Sequence, residues 1–173
     1  MRRSRARTFR LEADLDHAIE EISKKERLSM NQVANKALKR YVEWDMAPSN
    51  RGLVSVPSML LVKLMAAQSE DKARALGKWA GRELFLPNLQ AGHPTGSLEE
   101  AERLMRMLAA YGSRFTFDRS IGKGKHIMTI GQKMGRNWSS YYAGALETIF
   151  ERFLGKPLRA TITDNMCVVE FRM

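Results

Sequence analysis

The chain has 173 residues with 29 Lys and Arg against 19 Asp and Glu, a formal charge of +10 that favours a polyanionic partner. Its hydrophobic content of 44% suits folded protein, with room for a small module and one further domain. The single cysteine, Cys167, excludes a disulfide within the chain, and no apolar run reaches membrane-spanning length, so a soluble cytoplasmic protein without membrane contact is expected.

The first seven residues, MRRSRAR, are an arginine-rich arm with no acid before Glu12. Residues 8–11 then alternate, with Phe9 and Leu11 apolar and Thr8 and Arg10 polar. An extended chain therefore has one side to bury and one that presents hydrogen-bonding groups. Asp14 is the expected N-cap of a helix to about Lys25, with Leu15, Ala18, Ile19 and Ile22 at three-and-four spacing. Ser29 is the expected N-cap of a second helix, whose inner face would be Val33, Ala34, Ala37, Leu38 and Tyr41.

A strand and two helices in under forty residues bury too little apolar surface to fold alone, and no disulfide or metal cluster staples them. Two-fold association is the remaining solution: two strands pair as an antiparallel ribbon, and four helices close over Phe9 and Leu11. With its TFRL strand, its helix spacing, the Leu28-Ser29 turn and the Ala37, Leu38, Tyr41 face, the stretch resembles the ribbon-helix-helix DNA-binding family, of the Arc, MetJ and CopG type. The resemblance covers about a quarter of the chain. It implies that Thr8 and Arg10 read base edges in the major groove. It also implies that backbone at Ser29, Met30 and Asn31 docks a phosphate at the start of the second helix. Arg3, Arg5 and Arg7 of the arm would touch the DNA backbone.

Residues 47–55, with Pro48, Ser49, Asn50 and Gly52, read as a linker between a DNA-binding and dimerisation module over 1–46 and a second domain over 56–173. In that domain a short helix follows Pro57. A longer helix from Ser69 carries Ala73, Leu76, Trp79, Ala80, Glu83 and Leu84 at helical spacing and ends at Pro87, and a third is capped by Ser97. The period then changes to two. Residues 114–118 and 126–130 form a hairpin about an IGKGK turn, a broad apolar helix runs from Trp138 to Phe153, and residues 158–163 and 167–171 form a last pair of strands. The expected class is α+β, with helices packed on a small antiparallel sheet.

Candidate chemistry in the second domain is sparse. The basic run over 114–136 makes Lys123 and Lys125 a candidate second anion contact, although it lacks the spacing of a phosphate-binding P-loop, and a solvated hairpin tip is the plainer reading. Trp138, Tyr141 and Tyr142 line either a pocket or the core, with core spacing. His93, His126 and Cys167 are isolated in sequence, and no metal site or cofactor is expected. The chain has no nucleophile elbow, CxxC or HExxH, so no catalytic residue is assigned and an enzyme is not expected. The expectation is a homodimeric, sequence-specific double-stranded DNA-binding transcriptional regulator. Its second domain would sense a small-molecule effector or build higher oligomers. The competing readings are an antitoxin bound to a protein toxin and a non-specific nucleoid protein.

Overall fold

A computed structural model describes residues 5–46, 56–87, 97–112, 115–122 and 124–172. The chain divides into two units, Met1–Asn50 and Arg51–Met173, each taken by itself. The division falls in the span read as a linker, which lies outside the described residues.

The first unit contains α1 (Ala13–Glu26) and α2 (Met30–Arg40), the latter continued by a π-helical turn over Tyr41–Asp45. Between the helices Arg27 adopts the left-handed conformation at φ 54, which lets the Leu28 amide donate to Ser23 O at 3.0 Å and so end α1. Ser29 starts α2 by a reciprocal cap: its hydroxyl accepts from the Gln32 amide, while Gln32 Oε1 accepts from the Ser29 amide at 2.8 Å. The start of α1 differs from expectation. Its N-cap is Glu12, which makes no side-chain bond, and Asp14 sits inside the first turn with Oδ1 accepting from the Leu15 amide. A carboxylate there still favours the helix through its dipole.

Residues 5–12 form neither helix nor strand, so the strand expected over residues 8–11 is not formed in the single chain. Most of the large apolar residues of this unit lie open. Phe9 is 67% exposed, Leu38 49% and Tyr41 54%, and of the expected inner face of α2 only Val33 is buried.

The second unit is α+β. It contains α3 (Ser58–Ala66), α4 (Glu70–Ala80), α5 (Leu98–Met107), β1 (Phe115–Gly122), β2 (Lys125–Gln132), α6 (Arg136–Leu154), β3 (Ala160–Ile162) and β4 (Met166–Phe171). With the first unit this makes six α-helices among the described residues, and the four strands form one antiparallel sheet of order β1-β2-β4-β3. The hairpin strands run further than the sequence suggests. Gly122 pairs with Lys125, so the expected turn shrinks to two residues, the second of which is Gly124 at φ 71, a conformation glycine adopts without strain. β3 is shorter than expected, three residues rather than six.

Strand alternation sends Phe115, Phe117, Met128, Ile130, Cys167, Val169 and Phe171 to one face, where α6 covers them with Leu146, Ile149 and Phe150. The other face carries Thr116, Asp118, Ser120, Thr129 and Glu170, the polar side of a half-buried antiparallel sheet. Gln132 joins three elements at one end: its Nε2 lies 2.9 Å from Ser139 Oγ on α6 and 2.8 Å from Asp164 O in the β3–β4 turn.

The contact of α4 with α6 is made by small residues. A Cβ added to Gly77 would lie 1.9 Å from Tyr141 O, and one added to Gly144 would lie 2.2 Å from Arg74 O, so the two backbones touch. Ala73, Gly77 and Ala80 are buried in this contact, whereas Leu76 and Trp79, expected on the same inner face, are turned out to 43% and 51% exposure. Backbone contact leaves no room for large side chains between the helices. Beside it the buried Glu147 carboxylate receives the Arg74 guanidinium and the Ala160 amide.

Candidate nucleic-acid interface

The residues singled out for DNA fall in two places in the first unit. Thr8 and Arg10, with Arg5 and Arg7 before them, are exposed in the segment leading to α1. Arg3 lies outside the described residues. These arginines differ from the lysines of the helices. Lys24 pairs with Glu20 at 3.0 Å, Lys36 with Glu26 at 2.8 Å and Lys39 with Glu43 at 3.8 Å, whereas Arg5, Arg7 and Arg10 have no acid partner among the described residues. The segment keeps its positive charge unneutralised. Glu12 is the first acid to follow it, and a carboxylate there could accept from a cytosine amine while repelling phosphate.

The second place is the start of α2. An α-helix leaves its first amides without intrahelical acceptors. The reciprocal cap satisfies those of Ser29 and Gln32, which leaves the exposed Met30 and Asn31 amides with the dipole behind them. Ser29 thus acts through its cap, and the two free amides are the donors an anion would meet.

In the second unit the basic run is largely neutralised from within. Arg119 bonds Glu102 and His126, Lys125 pairs with Glu170, and Arg136 meets Glu70 at 2.7 Å. Arg114 and Lys123 lie outside the described residues, which leaves the exposed Lys133. Lys125 is therefore already engaged by a carboxylate on the neighbouring strand. The inward turn of Arg119 was open to strand parity, since it follows Phe115 and Phe117 by steps of two.

The aromatic group packs as core. Ring centroids are 5.3 Å apart for Trp138 and Tyr141 and 5.0 Å for Phe115 and Tyr142, and burial pushes the Tyr141 phenol up to about 12 and the Tyr142 phenol higher still. Cys167 is buried with its thiol pushed up to about 12, first by burial. It faces Ile130 across the sheet, whereas His126 faces Phe171, so the two lie four residues apart along the strands, roughly 13 Å. His17 is exposed on α1, and His93 lies outside the described residues. Among the described residues no three His, Cys, Asp or Glu side chains are grouped to hold a metal, and no helix is long and apolar enough to cross a membrane. Comparison with protein-family models, curated proteins and solved structures finds no match to this chain.

Proposed function

We propose that the protein is a sequence-specific double-stranded DNA-binding transcriptional regulator that works as a homodimer. In the dimer, residues 8–11 of two copies pair as a ribbon, Phe9 and Leu11 close against the α1 and α2 faces, and Thr8 and Arg10 point outward to the major groove. The observation that carries the reading is the state of this segment in one chain: backbone in neither helix nor strand and large exposed apolar residues, with three arginines that have no acid partner among the described residues. Burying Phe9 and Leu11 in a partner is favourable by about 1.5–3 kcal/mol per side chain. The Met30 and Asn31 amides would hold a phosphate on either side of the ribbon.

The competing antitoxin reading finds less support, because the second unit has a buried core of its own rather than a tail that orders on a partner. The role of that unit in the regulator is effector sensing or assembly.

Titration of the full chain against labelled duplex DNA at stepped salt tests the proposal. Binding should weaken linearly in log salt, and replacing Arg5 and Arg7 with alanine should flatten the slope by about 1 for each phosphate left without its cation. A full chain that fails to bind duplex at low salt would exclude it.

A further inference from the structure

The outer face of α4 carries a pattern that the fold of one chain leaves unused. Lys72, Leu76, Trp79 and Glu83 are spaced by four, three and four residues, the spacing of a seam between helices. All four are exposed, with Glu83 in the π-helical turn over Gly81–Phe85 that continues α4. Two large apolar side chains occupy the middle of the stripe, a cation one end and an anion the other. Neither Lys72 nor Glu83 has an ion-pair partner among the described residues. The opposite stripe of α4 is already consumed by backbone contact with α6, which fixes the helix and leaves the outer stripe preformed.

The charges identify what would cover it. When two such stripes run antiparallel about a two-fold axis, Leu76 of one faces Trp79 of the other, and Lys72 faces Glu83, each pair occurring twice. A parallel arrangement would set lysine against lysine and glutamate against glutamate. The stripe is thus complementary to itself in one direction only.

We propose that the second unit self-associates through α4, with a second copy of this chain as the partner and Leu76 and Trp79 at the centre of the interface. The surface lies wholly within residues 70–85 and does not depend on the DNA-binding reading. Together with a paired first unit it would give each chain two self-complementary interfaces, satisfied by one partner in a closed dimer or by two in an array.

The continuous apolar cluster lies wholly in the second unit, so residues 56–173 have a core of their own on which to fold and can be measured alone. At roughly 100 µM, well above a micromolar Kd, sedimentation equilibrium of this fragment should give twice its chain mass. Trp79→Ala should weaken association at least tenfold, as expected of a central aromatic. Lys72→Glu and Glu83→Lys should each weaken it about tenfold, and the two together should restore it, because the swap recreates the pairing. Melting temperatures report that each variant remains folded, which an exposed stripe allows. A fragment that stays monomeric, or a folded double variant that recovers nothing, overturns the proposal. Because the fragment lacks the first unit, neither result bears on DNA binding.

Discussion

Arg10 and the arm arginines carry the same charge, yet their loss should be felt differently. Arg10 stands in the alternating segment with Thr8, where the proposed ribbon aims it at base edges, and Arg5 and Arg7 precede that segment. Arg10→Ala should cost about 1–3 kcal/mol on a preferred duplex and far less on a random one, whereas Arg5→Ala and Arg7→Ala should weaken both alike. Fluorescence anisotropy on the two duplexes separates these outcomes, and an equal loss for Arg10 on both would remove it from base reading. All three arginines lack an acid partner among the described residues, which sets them apart from Lys24, Lys36 and Lys39, already engaged by glutamates.

Among the elements, α4 and α6 depend most on what is missing from their side chains. Gly77→Ala would drive a methyl group against the Tyr141 carbonyl, a backbone atom that cannot swing aside. The helices must separate, at a cost of about 3 kcal/mol by analogy with overpacked cores. Urea unfolding should show this as a lower midpoint with an unchanged slope, and an unchanged midpoint would mean that the backbones are not in contact. The same pair shows where sequence reading reached its limit. Helical spacing alone grouped Leu76 and Trp79 with Ala73 and Ala80, since spacing does not weigh side-chain size. The structure selects the smallest, because backbone approach and not side-chain volume fills this contact. Signals that act through local bonding were easier to read: Ser29 and Ser97 cap their helices, Ser69 starts its helix and proves to cap it as well, and Gly155 ends α6 in the left-handed conformation at φ 64. Asp14 failed as a cap because the same carboxylate stabilises a helix from inside its first turn, and sequence does not tell the two positions apart. The α+β class and both hairpins were legible from the switch to period two. Which cations of the basic run stay free was not, since that depends on partners such as Glu102 and Glu170 brought in from elsewhere in the chain.

At the scale of the molecule, the two units have unequal means of stability. Residues 56–173 contain a continuous apolar core around α6 and the sheet, whereas the described part of the first unit buries only Val33 and Trp44 among its hydrophobic residues. A unit so poorly covered folds with a partner or stays marginal. This is why pairing and DNA reading are proposed for the first unit together: in the proposed dimer, the contact that would complete its core is the one that would create the ribbon. The most direct measurement is selection of bound sequences from a random duplex pool at near-physiological salt, by the full chain and by a version ending after Trp44. The account predicts that both enrich the same short motif, repeated in keeping with two copies. Recovery of no motif by either protein would contradict it.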